Sequence, residues 1–348
     1  MRVVIHAGQT KTGSTALQKV LSTRADELPD HGLCYPRRPG DGLNHAFLTP
    51  LVAAPEVWGQ GARSLDAAHI DGYRLFLEGP FAEEARAARA AGLTTILSCE
   101  GFSAFDEGSL ARLRDVALRF GERPEIVLYV RSPAGRFLSQ LQQKLKTEPR
   151  LIDARTFASR AMRTHAALSA VFGDAVTMRT FQVSSLVGGD ITRDFLDFVD
   201  RDHGLSLPAE PQRANDSLSA EAMAALWEIR RADVAAGTRG GPRRDARILA
   251  ALRAEEADLP VSRPRLREEV RLLIDHRSRQ DLRKLRRHFG IVFDDVDYGA
   301  LDEPRPLPEA AAADLAELAV YDAGVAAEFV RRVRARLAGG GERERAAG

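Results

Sequence analysis

The chain has 348 residues, 44% of them hydrophobic, and a formal net charge of +1 from 50 Lys+Arg and 49 Asp+Glu. That length and apolar share suit one large α/β domain or two smaller ones with a proper core. The charge balance excludes a global field that would draw in nucleic acid or an anionic membrane, and two cysteines, Cys34 and Cys99, exclude a disulfide framework or a Cys-rich zinc site.

Read in chain order, the first strand is the apolar run Val3, Val4 and Ile5, and His6 at its end reads as a satisfied core histidine. The run stops at Gly8, and a helix is expected through Ala16, Leu17 and Val20. Residues Gly32 to Pro36 form a second short strand, and Arg37 to Asp71 is loop-rich. A helix over Phe81–Ala91, closed by Gly92, leads into a buried strand, Thr94–Ser98, that ends at Glu100. Leu110–Phe120 is an amphipathic helix closed by Gly121. Glu125–Val130 is the clearest buried strand. Arg131 follows it, and Ser132 at the N-cap with Pro133 at the first helical position opens a helix to about Lys146. Thr164–Phe172 reads as helix, Ala175–Phe181 as strand and Asp190–Val199 as helix. Strands apolar throughout, alternating with helices, indicate a three-layer α/β fold with a mostly parallel central sheet, spanning 1–210.

After Pro211 the pattern becomes helical. Ser219, in the run Asn215–Ser219, caps a helix starting near Ala220, and further helices are expected at Arg244–Ala257, Arg265–His288 and Pro308–Leu337. This is a helical C-terminal region, 211–338, packing on the core, followed by a disordered tail, 339–348. Between Arg265 and His288 there are nine Arg/Lys against four Asp/Glu. That density reads as a solvated helix face or as a basic surface for an anionic partner. No apolar run is long enough to span a membrane and no signal-peptide pattern opens the chain, so a cytoplasmic protein is expected.

The residues with chemistry begin at Gly8. A strand, a glycine-bounded loop and a helix start aim backbone N–H groups at one point, a cradle for a phosphate-like anion. Gly8 and Gly13 have Walker A spacing and Thr15 occupies the metal-binding Ser/Thr position, but Ser14 stands where the Walker lysine belongs. The lysine comes earlier, as Lys11. This predicts an anionic nucleotide whose reacting group is not a magnesium-bound γ-phosphate; the bland alternative is a chance glycine-rich turn. Arg131 sits at the carboxyl end of a buried parallel strand, the edge where open α/β sheets hold ligands. On the helix after it, Arg136, Ser139, Gln140 and Gln143 share one face. A guanidinium with a hydroxyl suits a phosphate monoester.

On these two motifs the chain resembles the sulfotransferases that use 3′-phosphoadenosine-5′-phosphosulfate (PAPS). Gln9-Thr10-Lys11-Thr12-Gly13-Ser14-Thr15 is similar to that family's 5′-phosphosulfate loop, and Arg131 with Ser139, eight residues on, to its 3′-phosphate motif. Phe181–Val199 and Asn215–Ser219 resemble the late part of bacterial, carbohydrate-type members. The resemblance covers about residues 1–220. It implies a P-loop-type α/β fold, PAPS as donor, adenosine 3′,5′-bisphosphate (PAP) as product, and no metal. It assigns Lys11 to the sulfate and bridging oxygen, the Thr12–Thr15 amides with the Ser14 and Thr15 hydroxyls to the 5′-phosphosulfate, and Arg131 and Ser139 to the 3′-phosphate. The acceptor implied is a carbohydrate or small metabolite carrying a hydroxyl or amine. The Arg-Lys-Gly phosphate loop of the animal cytosolic enzymes has no convincing copy; Arg239–Arg244 is a possible substitute. Two groups compete for general base: Glu100, at the ligand edge of its strand, and His45, whose loop can fold over the site. Two other functions stay open: a P-loop small-molecule kinase with Glu100 holding Mg²⁺, and a non-catalytic nucleotide-binding protein.

Overall fold

The computed structural model describes residues 1–9, 12–199, 217–238 and 241–346. They belong to two compact units: Met1–Ser132, Arg160–Ala214 and Asp281–Asp295 make the first, and Pro133–Ser159, Asn215–Gln280 and Val296–Gly348 the second. This interleaved division differs from the contiguous regions 1–210 and 211–338 expected.

The first unit is α/β. Strands β1 (Arg2–His6), β2 (Leu33–Cys34), β3 (Thr94–Ser98), β4 (Arg123–Val130) and β5 (Val176–Thr180) form one sheet in the order β2-β3-β1-β4-β5. Every pairing in it is parallel. Val3, Val4, Ile5, Ile96, Leu97 and the run Ile126–Val130 are fully buried. Helices therefore flank the sheet, as continuously apolar parallel strands require. Helix α1 (Ser14–Thr23) contributes Leu17 and Leu21, and the helix Ile191–Val199 contributes Phe195 and Phe198, to a core with Val4, Ile96, Val127 and Tyr129. Asp194 of the latter helix, 1% exposed, accepts from Tyr129 Oη at 2.6 Å and from Arg179 Nε and Nη2 at 2.7 and 2.8 Å. Burial raises its carboxyl pKa, but these hydrogen bonds outweigh burial and hold it below the usual value.

The strand order fixes where a ligand can enter. From β1 the chain runs outward to β2 on one side; from β4 it runs outward to β5 on the other. Neighbouring strands whose connections leave in opposite directions define a switch point, and the crevice opens at their carboxyl ends. The loops that begin at Ala7 and at Arg131 flank it.

The second unit is helical: Pro133–Thr147, Ala220–Ala235, Pro242–Glu255, Glu268–Arg277 and Ala323–Ala346, with one antiparallel pair, β6 (Arg265–Leu266) and β7 (Ala319–Val320). Phe137, Leu141 and Leu145 repeat every fourth residue and form one apolar stripe. That stripe joins Ala222, Leu226, Leu252, Ile274 and Phe329 in a single core, which explains why a helix beginning one residue after Ser132 belongs to this unit.

Several expected elements change. Arg37–Asp71 is not loop throughout: it holds short turns at Ala46–Leu48, Thr49–Val52 and Pro55–Val57. A helix, Ala67–Glu78, also starts there, its N-cap Asp66 accepting from His69 N–H at 2.9 Å. The single helix expected over Arg265–His288 is β6 followed by two helices, Glu268–Arg277 and Arg279–Phe289. They part at Ser278, whose N–H turns back to the carbonyls of Ile274 and Asp275 (3.0 Å each) and whose hydroxyl accepts from Ser159 N–H at 2.9 Å. Within Pro308–Leu337 the helix starts only at Ala323, after a turn over Leu315–Glu317 and β7, and it continues through Ala346 into the tail expected to be disordered. Ser219 does cap Ala220–Ala235, accepting from Ala222 N–H at 3.2 Å; Pro211, Asn215 and Asp216 lie outside the described residues. Among the described residues no helix is long and apolar enough to cross a membrane.

Candidate functional site

After His6 the chain keeps running beside β4. Ala7 N–H donates to Val127 O at 3.1 Å and Gln9 N–H to Tyr129 O at 3.4 Å. This brings Gln9 level with the strand end that carries Arg131. The loop then folds back: Thr12, fully buried, donates its hydroxyl to Gln9 O at 2.7 Å. Gly13 turns the chain into α1 with φ of +73°, and a Cβ there would lie 2.9 Å from Phe181 Cε2. Glycine is therefore required twice, for the left-handed backbone and for the close approach. Helix α1 begins without a side-chain cap and with no acidic residue in its first turn, so its N-terminal amides and dipole face the loop.

The polar side chains around this loop are unusual. Ser14 Oγ and His6 Nε2 are both buried with no hydrogen-bond partner among the described residues. Both converge on Gly8: a Cβ at that position would lie 2.8 Å from Ser14 Oγ, 3.0 Å from His6 Nε2 and 3.0 Å from Thr12 Oγ1. A space cleared by a glycine and bordered by orphaned polar atoms fits a bound anion at an uncapped helix start. His6 is buried as expected but only half satisfied: Nδ1 pairs with Ser98 Oγ at 2.8 Å. Burial lowers its pKa to about 4, so the ring is neutral at pH 7. Thr15 is exposed. Thr10 and Lys11 lie outside the described residues.

Across the switch point stands Arg131. Its guanidinium lies 5.9 Å from the Phe181 ring, the same ring that abuts Gly13. Phe181 follows β5, and its N–H donates to Val130 O at 2.7 Å. One aromatic side chain thus spaces the loop from the arginine. Burial pulls the Arg131 pKa down, and the nearby Asp295 carboxylate opposes this. Ser132 Oγ donates to Asp295 Oδ2 at 2.6 Å. Phe181 and Asp295 are the residues that sequence reasoning does not single out. The one signal for Phe181 is its place at a strand end; Asp295 has no local signal.

At the neighbouring edge, Cys99 N–H donates to His6 O at 3.1 Å, so Glu100 leaves β3 beside Gly8. It is half-buried and opens a short turn, Glu100–Ala104. His45 is fully buried. Its Nε2 donates to Pro36 O at 3.1 Å, its Nδ1 accepts from Ser98 N–H at 3.0 Å, and its own N–H donates to Ser98 O at 2.8 Å. Burial lowers its pKa to about 3. Both nitrogens are committed to the backbone, so His45 pins its loop to β3 and has no lone pair to offer a substrate, contrary to the expectation of a base.

Ser139 belongs to the second unit, half-exposed on the helix Pro133–Thr147 opposite the buried Phe137 and Leu141. Of the possible late phosphate loop, Arg239 and Gly240 lie outside the described residues, and Arg244 forms a forked pair with Asp233 at 3.0 and 2.6 Å.

The structure therefore gathers Gln9, Thr12, Gly13, Ser14, Glu100 and Arg131 along one sheet edge. This arrangement can hold an anion at the start of α1 and a second negative group at Arg131, with the half-buried Glu100 at the neighbouring strand end. Compared with known proteins, the chain matches no family model, no curated protein and no solved structure.

Proposed function

We propose that this protein is a PAPS-dependent sulfotransferase acting on a hydroxyl or amine of a carbohydrate or small metabolite. The observation that carries the reading is the buried Ser14 hydroxyl, without a partner among the described residues, at an uncapped helix start, with Arg131 on the adjoining strand end. A nucleotide with separate 5′ and 3′ anionic ends needs two such stations. PAPS supplies the sulfuryl group and a good leaving phosphate. The amides of Thr12 to Thr15 and the Ser14 hydroxyl hold the 5′ end, where preorganised donors stabilise charge as it moves to the leaving oxygen. By motif position Lys11 is assigned to the bridging oxygen and Arg131 to the 3′-phosphate; Ser139, the other residue of that motif, belongs to the second unit. Glu100 takes the acceptor proton. His45 is not retained as a base, because its ring nitrogens are engaged.

Ser14 in place of a Walker lysine disfavours a kinase, and ligand-induced stabilisation separates the two. PAP without Mg²⁺ raises the melting temperature; at a hundredfold excess over its dissociation constant the gain is about 2.7 kcal/mol. Stabilisation by Mg-ATP alone rejects the sulfotransferase reading.

A further inference from the structure

We infer that the second unit carries its own anion pocket, at the end of the helix Glu268–Arg277, and that it binds a small organic phosphate or sulfate monoester. The cavity measures about 320 Å³ and is lined by Leu273, His276, Arg277, Arg279, Arg305 and Leu307. Among the described residues, three guanidinium groups and no carboxylate border it.

Two of these arginines keep a donor that their ion pairs do not use. Among the described residues, the Nε atoms of both Arg277 and Arg305 are buried with no hydrogen-bond partner. Arg305 Nη2 donates to Glu303 Oε2 at 2.5 Å, and Arg279 Nη1 donates to His276 O at 2.9 Å. Arg277 feels the charge of Asp153, but that carboxylate is already forked onto Arg155, at 3.0 Å from Nε and 2.9 Å from Nη2. The Nε donors are thus left over after the local pairs are made. A buried N–H without an acceptor is costly, and a tetrahedral anion offers enough oxygens for several arginines at once.

Helix position opposes an anion here, since a carboxyl-terminal end carries about half a negative charge. Three guanidinium charges exceed it. The last carbonyls are also occupied, Ile274 and Asp275 by Ser278 N–H and His276 by Arg279. The ligand is organic because Leu273 and the exposed Leu307 supply an apolar wall that a bare ion does not use. The basic run between Arg265 and His288 thereby gains a function for part of its charge.

The test is an arginine Nε–H NMR titration of the full chain with phenyl phosphate, phenyl sulfate, inorganic phosphate and neutral phenyl glucoside. The Arg277 and Arg305 signals, assigned by their disappearance in Arg277→Lys and Arg305→Lys, are expected to move together and saturably with either phenyl ester. The tighter of the two esters identifies the headgroup. Phenyl glucoside leaves them still. Arg277→Gln or Arg305→Gln weakens binding about tenfold, and Arg131→Ala leaves it unchanged. If a Gln variant fails to fold, the Lys variants, which keep the charge but lose the Nε donor, carry the same comparison. Non-saturating shifts, or an affinity unchanged in these variants, overturn the pocket; equal affinity for inorganic phosphate overturns its assignment to an organic ester.

Discussion

The loop that leaves β1 and the loop pinned to β3 lie along one edge of the same sheet, and each is built around a fully buried histidine. His45 commits both ring nitrogens to the backbone, to Pro36 O and Ser98 N–H. His6 commits one, to Ser98 Oγ, and leaves Nε2 beside Ser14 Oγ at the point that Gly8 keeps clear. Burial lowers both pKa values, to about 3 and about 4. Residue type, depth and charge state are therefore alike, and the difference lies in unused hydrogen-bonding capacity. Buried polar groups are nearly always satisfied. At His45 that capacity is spent on the fold; at His6 and Ser14 it is left over beside a helix start, the feature on which the proposed anion site rests.

That contrast makes its strongest demand on Glu100, which leaves the β3 edge without being part of the His45 pin. Glu100→Gln is expected to lower turnover about 10²- to 10⁴-fold, the usual worth of a general base, with PAP binding essentially intact. Retained turnover in a steady-state assay removes Glu100 from the chemistry. Next in size is Arg131→Ala, which is expected to weaken PAP by about 30- to 1,000-fold, as truncating one side of a desolvated charge contact does. Adenosine 5′-phosphate, lacking the 3′ group, loses far less. Titration calorimetry showing equal losses for both nucleotides rejects the 3′-phosphate role.

The legible parts of the molecule were those encoded locally. β1, β3 and β4 carry apolar runs whose burial follows from composition, whereas β5 (Val-Thr-Met-Arg-Thr) buries only Met178, and the turn into α1 shows itself through the spacing of Gly8 and Gly13. What stayed hidden depends on distant partners. The break at Ser278 rests on a bond from Ser159, and β6 exists because Ala319–Val320 pairs with it, so the local pattern reads as one helix through both. Helix Pro133–Thr147 looks like the next element of the α/β alternation; its stripe of Phe137, Leu141 and Leu145 matches residues beyond 220, which no local pattern reveals. At the site, the same limit hid Asp295. It also made His45 look catalytic, since its partners lie nine and fifty-three positions away.

Ser14 gives a sharper test because stability and binding should move in opposite directions. Its hydroxyl is buried without a partner, so Ser14→Ala removes an unmet desolvation cost. The ligand-free protein should gain up to about 1 kcal/mol in urea unfolding. The same change deletes a donor to the 5′ anion and should weaken PAP about tenfold. Loss of stability together with unchanged affinity would mean that the hydroxyl serves the fold, erasing the difference between the two loops.

His45 supplies the converse, an effect on stability with little on binding. Its folded pKa of about 3 and that of His6, about 4, both lie below the ordinary value of 6.5. The unfolded chain therefore binds protons that the folded rings refuse as pH falls below 6.5. Stability is full above that value and declines toward pH 4, by about 2 kcal/mol per histidine at pH 5. Asp194 is held below the usual carboxylate value, so it stays charged through this window. His45→Asn should remove its own share, about 2 kcal/mol at pH 5, from a pH dependence to which His6 and His165, whose pKa burial also lowers, contribute the rest. At pH 7 it should keep PAP affinity and, per folded molecule, turnover, because Asn can still donate to Pro36 O or accept from Ser98 N–H. A turnover loss as large as that of Glu100→Gln, with the pH slope unchanged, would restore His45 to the chemistry and show that a fully satisfied ring can still be drawn out of the fold to act.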